Sequence, residues 1–425
     1  MIKLTRQQSN ALNMVQKNNL SILTGGPGTG KTTATKAIVD WMKSEGYEIS
    51  LCSPSGKAAN ILSEMAEHPA STIHRLLKPM PIKTNGKLKF EFSHNSDNLL
   101  PYTAIIIDEF SMVGNDLAAS LFQAIDYTKT KVLIVGDVNQ ICSISPGNVL
   151  RDFISCGMIP FTELNEVFRN SGEIINLCTA IRTDTRYNLP KTLDLDTGQN
   201  YVHIECGNPQ TIHDTIIKLA TENMVKRGYD TTKDVQILSP VNSKTVLSCD
   251  TLNESIQNIV NPQPPEACVN GNRDRDGFRL GSKVINTRNL YDSITVDGDK
   301  EIVLNGDGGI IVDLQGDNKN MVIHFENPDR KILVNKYNHH LKLSYCITIH
   351  RSQGSQFPVV IMPAHSAFQY QNNRALIYTA VSRAQKILIT VGQAAAIRQA
   401  VRDTKVYRRK TFLSEKIQDG MLSDL

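Results

Sequence analysis

The sequence predicts an α/β protein with two parallel-sheet domains, a β-hairpin inserted in the first and a small all-β insert in the second. Its 425 residues exceed what one ordinary hydrophobic core organises. The first 165 residues alternate short apolar runs with helical or polar stretches, a rhythm typical of parallel strands joined by crossover helices. A β-rich segment interrupts the second half, and the α/β rhythm resumes at Tyr345.

The composition is that of an ordinary globular protein, with 40% hydrophobic and 21% charged residues. A net charge of +4 neither requires nor excludes nucleic acid, because binding needs a local cluster of cations. The eight cysteines form no Cys-x-x-Cys pair, which argues against a zinc site or a disulfide framework and favours a reducing compartment. Without a signal-peptide pattern or a long uncharged apolar stretch, we expect a soluble intracellular protein that does not enter membranes.

In the first domain, four apolar runs read as buried strands: Ile22–Thr24, Ile49–Ser53, Ala104–Ile107 and Lys131–Gly136. Residues 81–93 interrupt this rhythm with a different pattern. Asn85-Gly86 is a strong hairpin-turn signal, and Leu88, Phe90 and Phe92 alternate with polar residues. A hairpin is therefore predicted to project from the first domain, either as a functional element or as a surface decoration.

In the second half, residues 170–265 read as helices around a single strand, Val235–Ser239. A proline-rich break at residues 261–265 precedes the insert of about 75 residues, which lies at the low end of domain size. Its predicted strands are Phe278–Thr287, Ile302–Leu304, Gly309–Leu314 and Met321–Phe325. Two further strands, Val359–Met362 and Ile387–Thr390, precede a charged and helical C-terminal stretch of about 30 residues.

A phosphate-binding loop lies between the first strand and an amphipathic helix. It reads Gly25, Gly26, Pro27, Gly28, Thr29, Gly30, Lys31 and Thr32. Its glycines allow backbone N–H groups to surround phosphate oxygens, and the helix N-terminus adds partial positive charge. Lys31 is placed to reach the β- and γ-phosphates and Thr32 to bind Mg²⁺. The alternative, a plain glycine-rich turn, does not explain the complete motif in its strand–loop–helix context, so we predict binding of a nucleoside triphosphate.

Acidic and amide residues follow two other predicted strands. Asp108 and Glu109 end the run Ile105–Ile107, where Asp108 suits Mg²⁺ and Glu109 suits polarisation of the attacking water. Gln140 follows the strand Val132–Val135 and suits contact with the γ-phosphate or its water. Each pattern is common by itself, and the shared sheet edge makes them a candidate hydrolytic site.

Two arginines are candidates for stabilising a phosphoryl-transfer transition state. They are Arg169, in Leu164-Asn165-Glu166-Val167-Phe168-Arg169, and Arg383, in Tyr378-Thr379-Ala380-Val381-Ser382-Arg383. Composition alone favours a surface salt bridge for each of them. The tetrapeptide Thr-Ile-His-Arg also recurs, at residues 72–75 and 348–351, through either duplicated domains or chance.

These motifs, taken in order, make the chain resemble the superfamily-one DNA helicases, within them the RecD-like branch that moves 5′ to 3′. The resemblance covers nearly the full length. Its segments are Leu4-Thr5-x-x-Gln8-x-x-Ala11, Gly25–Thr32, Ser53–Ala59, Ser71–Leu77, Asp108–Met112, Gly136–Gly147, Thr348–Pro358, Tyr378–Ala384 and Arg408-Arg409-x-Thr411-x-Leu413.

The resemblance implies roles for individual residues, with ATP and Mg²⁺ as cofactors. Gln8 would read adenine, Thr33 would join the loop in binding the nucleotide, and Arg169 and Arg383 would act as arginine fingers. Gln356 stands where many relatives have a glutamate that contacts the ribose, so it would contact the ribose as an amide without charge. Single-stranded DNA would be held through its phosphates by Ser55, Lys57, Thr72, His74, Thr348 and His350.

The resemblance also implies an architecture of two RecA-like domains with ATP in the cleft between them. The expected boundaries are 1–168 for the first domain, with a strand-separating hairpin at 79–100, then 169–268 with 346–425 for the second, and a small β-barrel at 269–345.

The function implied is that of a monomeric ATP-driven 5′→3′ DNA helicase acting on single-stranded and forked DNA in replication, recombination or repair. Its expected setting is the cytoplasm of a bacterium or of a virus-infected bacterial host, with single-strand-binding or recombination proteins as possible partners. The alternatives are a translocase that displaces proteins from DNA and a motor-like DNA-binding subunit of a larger recombination complex. A small-molecule kinase would need neither a second α/β domain nor a projecting hairpin.

Overall fold

The computed structural model describes residues 3–84, 87–166, 172–262, 277–314, 320–326, 328–335, 340–409 and 411–423. The chain divides into two units, Met1–Asn170 with Lys405–Leu425, and Ser171–Thr404. Helices and strands are numbered along the chain. Among the described residues, each helix is too short or too polar to cross a lipid bilayer.

The first unit contains a six-stranded sheet in which every neighbouring pair is parallel. Its strands are β1 (Leu20–Gly25), β2 (Ile49–Ser53), β3 (Ala70–Thr72), β6 (Ala104–Ile107), β7 (Lys131–Gly136) and β8 (Phe161–Leu164), in the order β3-β2-β6-β7-β1-β8. The four strands predicted from apolar runs are confirmed. The two outer strands, β3 and β8, were not predicted, because neither carries a continuous apolar run.

Helices cover both faces of this sheet. They are α1 (Arg6–Lys17), α2 (Lys31–Ser44), α3 (Gly56–Ala66), α4 (Ile73–Leu77), α5 (Asn115–Gln123), α6 (Val149–Ser155) and α13 (Leu413–Ser423). Successive residues of β6 enter opposite cores, since Ile105 and Ile107 pack in one hydrophobic cluster and Ala104 and Ile106 in the other. This burial on both faces explains the unbroken apolar runs of the inner strands.

The predicted hairpin is formed by the antiparallel strands β4 (Pro79–Thr84) and β5 (Lys87–Phe92). The predicted turn residues, Asn85 and Gly86, lie outside the described residues. At the base of the hairpin, the ring of Phe92 lies 5.9 Å from the ring of His74, measured between centroids. The hairpin therefore starts directly beside the segment that carries the Thr-Ile-His-Arg sequence.

The second unit contains a five-stranded parallel sheet. Its strands are β9 (Tyr201–Glu205), β10 (Val235–Ser239), β18 (Cys346–Thr348), β19 (Phe357–Ala364) and β20 (Ala384–Gly392), in the order β18-β10-β19-β20-β9. Its helices are α7 (Glu173–Thr183), α8 (Pro209–Lys218), α9 (Met224–Lys226), α10 (Cys249–Val260), α11 (Arg374–Ser382) and α12 (Ala394–Arg402), with a π-helical turn between α8 and α9. The three predicted strands are confirmed, and the two outer ones were again missed.

The insert of the second unit is all β, as predicted. It consists of β11 (Lys283–Asn286), β12 (Leu290–Thr295), β13 (Lys300–Val303), β14 (Gly308–Asp313), β15 (Asn320–Glu326), β16 (Asp329–Asn335) and β17 (Leu341–Leu343). All neighbouring strands are antiparallel, in the order β13-β12-β16-β15-β14-β11-β17. Among the described residues the strand order runs from β13 to β17, and the arrangement of the insert as a small β-barrel stays a prediction.

The C-terminal residues differ from the expected division. They were assigned with residues 346–425 to the second domain, but the structure groups Lys405–Leu425 with the first unit. Leu413 and Ile417 of α13 pack against the first unit's core, beside α6. The sequence predicted a charged and helical C-terminal stretch without identifying a buried face on it. Which core the apolar residues of this helix cover depends on packing between distant segments, which a local pattern does not encode.

Candidate functional site

The phosphate loop connects β1 to α2 with two residues in the left-handed region, Gly28 at φ 73° and Gly30 at φ 82°. Glycine adopts this conformation without steric cost. Within the described part of the chain, no side chain caps the start of α2, so its first N–H groups remain available for an anion. Lys31 Nζ donates hydrogen bonds to the carbonyl oxygens of Gly25 at 2.6 Å and Gly26 at 3.0 Å, which hold the ammonium group over the loop.

Gln8 ties α1 to the phosphate loop. Its Oε1 accepts from the backbone N–H of Thr5 at 3.0 Å, and the Thr5 hydroxyl accepts from the Gln8 N–H at 3.3 Å, forming a capping box. Its Nε2 donates to the carbonyl oxygen of Gly30 at 3.2 Å, and the residue is 3% exposed. Both ends of the amide thus have protein partners. Contact with adenine stays a prediction, for which the amide retains a second Nε2 hydrogen and a second Oε1 lone pair.

Asp108 and Glu109 follow β6 at the same sheet edge as the phosphate loop. The strands are parallel and their registers align Ile107 with Ile134 and Thr24 with Gly136, so their carboxyl ends lie together. The Asp108 N–H donates to the carbonyl oxygen of Cys52 at 2.9 Å, and its Oδ1 accepts from the Glu109 N–H at 2.8 Å.

Desolvation and the neighbouring charge of Glu109 raise the pKa of Asp108 to about 7. The N–H of Glu109 and the ammonium group of Lys31 act in the opposite direction. Lys31 is therefore close enough for its charge to act on the Asp108 carboxyl group. Glu109 itself has φ 53°, a left-handed conformation that is strained for a residue with a side chain and that occurs often at functional sites.

The same residues fit Mg²⁺ in the way that nucleotide-binding proteins hold it. A desolvated carboxylate with a raised pKa gains from a nearby divalent cation, and the exposed hydroxyl of Thr32 at the start of α2 offers a second oxygen. Among the described residues, no cluster of three His, Cys, Asp or Glu side chains forms an all-protein metal site. Asp108 and Thr32 therefore suit an ion that takes its other ligands from phosphate and water.

Gln140 lies in the loop after β7 and is held by Asp137, a residue that sequence reasoning missed. The Gln140 N–H donates to the Asp137 carbonyl oxygen at 3.2 Å, and its Nε2 lies 3.5 Å from Asp137 Oδ2. Gln140 is 7% exposed, and its Oε1 is buried without a hydrogen-bond partner among the described residues. The Asp-x-Asn-Gln sequence, typical of an Asx turn, was the available signal.

The first Thr-Ile-His-Arg sequence lies at the carboxyl end of β3. Thr72 is the last residue of the strand, caps α4 and accepts from the Arg75 N–H at 3.2 Å. Its strand partner is Ser53 of β2. Two residues further on, Ser55 caps α3 by accepting from the Ala58 N–H at 3.3 Å. The predicted DNA contacts of the first unit thus converge at the start of two neighbouring helices.

The two basic candidates lie within these helices. Lys57 lies in the first turn of α3 and is partly exposed. His74 in α4 is exposed, and desolvation of its imidazole against neighbouring groups such as Phe92 lowers its pKa.

The second Thr-Ile-His-Arg sequence occupies the equivalent place in the second unit. Thr348 is the last residue of β18, an outer strand like β3, and accepts from the Arg351 N–H at 3.4 Å. Its strand partner is again a serine, Ser239 of β10. Burial lowers the pKa of His350, as desolvation does for His74. Matching position, strand partner and hydrogen bond identify a structural duplication.

The remaining candidates of the second unit lie at the amino ends of β19 and β20. Gln356 is exposed, and its Oε1 accepts from Gln385 Nε2 at 3.1 Å. Arg383 is 4% exposed, and its guanidinium donates to the carbonyl oxygens of Ser355 at 3.1 Å and Thr379 at 3.4 Å. Its role as an arginine finger stays a prediction. Arg169, the other predicted finger, lies outside the described residues.

Known families match three segments of the chain. Residues 3–205 match the family described as AAA domain, and residues 343–391 match the UvrD-like helicase C-terminal domain. Residues 252–325 match the ATP-dependent RecD-like DNA helicase SH3 domain, a range that overlaps the β insert. Along the chain, the first match covers most of the first unit and runs into the second, the next overlaps the insert, and the last lies in the later part of the second unit.

Individual proteins agree with these matches. The chain is 32% identical over 429 residues to the ATP-dependent RecD2 DNA helicase of Deinococcus radiodurans, covering 98% of this chain and 52% of that protein. It is 27% identical to the RecBCD enzyme subunit RecD of Mycolicibacterium smegmatis, covering 95% and 74%. A crystal structure of Pif1 helicase from Bacteroides in complex with ADP-AlF3 and ssDNA shares the fold at a TM-score of 0.53 and 20% identity, covering 100% and 98%. The chain thus spans about half the length of the RecD2 helicase.

Proposed function

Because the chain belongs to the RecD-like branch of the superfamily-one helicases, we propose that it is an ATP-dependent DNA helicase that moves 5′→3′ on single-stranded DNA and unwinds forked duplexes. The direction is that of the RecD-like branch. The observation that carries the proposal is the pair of equivalent Thr-Ile-His-Arg sites, one in each α/β unit, in a chain whose first unit also holds a phosphate loop.

The residues at the first unit's sheet edge have distinct roles in ATP hydrolysis. Lys31 and the N–H groups at the start of α2 bind the phosphates. Glu109 orients and polarises the attacking water, and Gln140 contacts the γ-phosphate or that water. Thr32 and Asp108 would hold Mg²⁺, which neutralises charge on the transferring phosphoryl group when bound.

The duplicated threonines suit the sugar–phosphate backbone. Each hydroxyl oxygen accepts a hydrogen bond from a backbone N–H, at Thr72 from Arg75 and at Thr348 from Arg351. This leaves the hydroxyl hydrogen free to donate to a phosphate oxygen. Such contacts hold a strand without reading its sequence, which is what a translocating enzyme requires. One such site in each unit gives the chain two points of contact with one strand.

The hairpin gives the proposal its unwinding element. We assign β4 and β5 as the pin that separates the strands, because the hairpin begins directly after α4 and packs at its base against His74. A strand held at Thr72 would therefore lie beside the hairpin. Without a working pin the same chain would still be a translocase, so the hairpin decides between helicase and translocase.

The experiment that tests the proposal measures unwinding of forked substrates carrying only a 5′ or only a 3′ tail, with and without ATP. We expect unwinding with the 5′ tail alone, and unwinding from the 3′ tail alone would contradict the direction. Lys31→Ala should abolish DNA-stimulated ATP hydrolysis, whereas Lys17→Ala, at an exposed lysine of α1, should retain it. Substantial turnover by Lys31→Ala would overturn the assignment of the site.

A second experiment separates unwinding from translocation. Deletion of residues 82–92 should leave ATP hydrolysis stimulated by single-stranded DNA intact and suppress fork unwinding. Displacement of streptavidin from a biotinylated single strand reports translocation alone and should persist. If the deletion variant still unwinds forks, the hairpin is not the pin. If the intact chain displaces streptavidin but never unwinds forks, the protein is a translocase.

A further inference from the structure

The C-terminal residues of the first unit bind the loop that carries Gln140. We call residues 137–147 the sensor loop, and residues 405–409 with 411–423 the C-terminal strap. We propose that Tyr407 and Arg409 of the strap are positioning residues for Gln140 in ATP hydrolysis. The inference rests on the proposed function and assigns a role to a segment that lies far from the phosphate loop in the sequence.

Side chains of the strap hold the sensor loop through its backbone. Tyr407 Oη donates to the carbonyl oxygen of Asn139, the residue before Gln140, at 2.9 Å. Arg409 Nη1 lies within hydrogen-bond distance of three carbonyl oxygens, those of Ser143 at 2.8 Å, Gly147 at 3.2 Å and Ser145 at 3.3 Å. A cationic donor surrounded by carbonyl oxygens fixes the course of the loop backbone whatever its side chains are.

Tyr407 is itself fixed by a neighbour. The guanidinium carbon of Arg151 lies 4.3 Å from the centre of the Tyr407 ring, a cation–π contact. Arg151 also donates to the carbonyl oxygen of Val138 at 2.8 Å. Two consecutive carbonyl groups of the loop, at residues 138 and 139, are therefore held by one stacked pair of side chains immediately before Gln140.

The strap is anchored firmly enough to act as a support. Thr411 Oγ1 donates to Asp152 Oδ2 at 2.6 Å, and Gln418 Nε2 donates to the carbonyl oxygen of Cys156 at 2.9 Å. Leu413 and Ile417 pack against the hydrophobic core that includes α6. The first unit therefore provides a fixed base on which Tyr407 and Arg409 hold the loop.

The hydrogen bonds of the Gln140 side chain do little to fix its orientation. Its Nε2 contact with Asp137 is long, at 3.5 Å, and its Oε1 is buried without a partner among the described residues. The placement of its amide therefore depends on the loop backbone, which the strap holds. A residue that must contact a phosphate or a water needs such support, because small displacements of a catalytic contact lower the rate strongly.

The test uses the 425-residue chain with Arg409→Ala, Tyr407→Phe and both together. Tyr407→Phe removes only the hydroxyl and keeps the ring against Arg151. We expect kcat for DNA-stimulated ATP hydrolysis to fall roughly tenfold in the double variant, with KM for ATP within about twofold, because binding by the phosphate loop is untouched. Arg409→Lys should recover part of kcat, since an ammonium group also donates to carbonyl oxygens.

Arg408→Ala is the matched control. It removes the same charge one residue away, at an exposed side chain without a hydrogen bond to the described residues.

Amide hydrogen exchange without DNA or nucleotide gives a second readout. Exchange should rise in residues 137–147 of the double variant and stay unchanged in β2. Unchanged kcat in an active protein, or unchanged exchange in the loop, overturns the inference. If the wild-type chain shows no DNA-stimulated ATP hydrolysis, the proposed function is refuted instead. In that case the exchange measurement alone tests whether the C-terminal strap stabilises the sensor loop.

Discussion

Asp108→Asn should make the first unit more stable, increasingly so as the pH rises. In the folded protein, desolvation and Glu109 raise the pKa of Asp108 from its ordinary value of 3.8 to about 7. Between these two values the folded chain holds a proton that the unfolded chain has already released. The free energy of unfolding therefore falls as the pH rises towards 7, and becomes independent of this group above that pH. Asparagine has nearly the same shape and cannot ionise. The unfolding free energy of the variant therefore does not fall with pH through this group.

The size of the effect follows from the width of this interval. Each pH unit corresponds to about 1.4 kcal/mol of unfolding free energy. Between pH 5.5 and about 7, the unfolding free energy of the wild type therefore falls by about 2 kcal/mol through this group. For a unit of this size, the advantage of Asp108→Asn in melting temperature should grow by roughly 4–8 °C between pH 5.5 and pH 8. The same variant should lose ATP hydrolysis, so the carboxylate is kept for function at a cost in stability.

The assay is thermal denaturation at pH 5.5, 6.5 and 8.0 in the presence of a chelator and without nucleotide. Asp97→Asn is the control, because it removes a carboxylate from an exposed loop of the same unit. Its melting temperature should follow that of the wild type at all three pH values. If the difference between Asp108→Asn and the wild type is the same at pH 5.5 and 8.0, the carboxyl group does not carry the raised pKa and the reasoning about its desolvation fails.

Four other substitutions test the site geometry. In Gly25→Ala the added Cβ would lie 2.8 Å from the carbonyl oxygen of Leu164, so we expect the unfolding free energy to drop by about 1–3 kcal/mol in denaturant titrations. Glu109→Gly removes the strain at φ 53° and should raise stability by about 1 kcal/mol while ATP hydrolysis is lost, as melting and turnover measurements can show. Thr72→Ala and Thr348→Ala should each weaken single-stranded DNA binding about tenfold in fluorescence anisotropy, with an unchanged salt slope because a hydroxyl displaces no counterion.

The sequence predicted the interior of both sheets and missed their edges. All seven strands predicted for the two parallel sheets have neighbours on both sides. The four missed strands, β3, β8, β9 and β18, are the outer strands of the two sheets. An inner parallel strand is covered on both faces and must be apolar throughout, which makes its signal strong. The outer strands here have only three to five residues. Because an outer strand has a neighbour on one side only, it requires fewer apolar residues and its sequence resembles a loop.

Sequence motifs identified the candidate residues of the site, but not the residues with which they form hydrogen bonds. The loop glycines, Lys31 and Asp108 were predicted because their chemistry depends on local order along the chain. The hydrogen bond from Gln8 to Gly30 and the one from Tyr407 to Asn139 join residues 22 and 268 positions apart. No local pattern encodes such pairs, since they depend on how helices and loops pack. The assignment of the C-terminal residues to the wrong unit has the same origin.

The strand order separates the two ligands proposed for the first unit. The phosphate loop ends β1, and Thr72 ends β3, four strand positions away, which corresponds to about 19 Å at the usual spacing of about 4.8 Å. ATP and DNA therefore share no side chain in this sheet, and a path through the sheet from β1 to β3 crosses β7, β6 and β2. The hydrogen bond from the Asp108 N–H to Cys52 joins the ends of β6 and β2, and the next residue, Ser53, is the strand partner of Thr72. A shift of Asp108 on hydrolysis would thus reach the DNA-contacting edge through main-chain contacts alone.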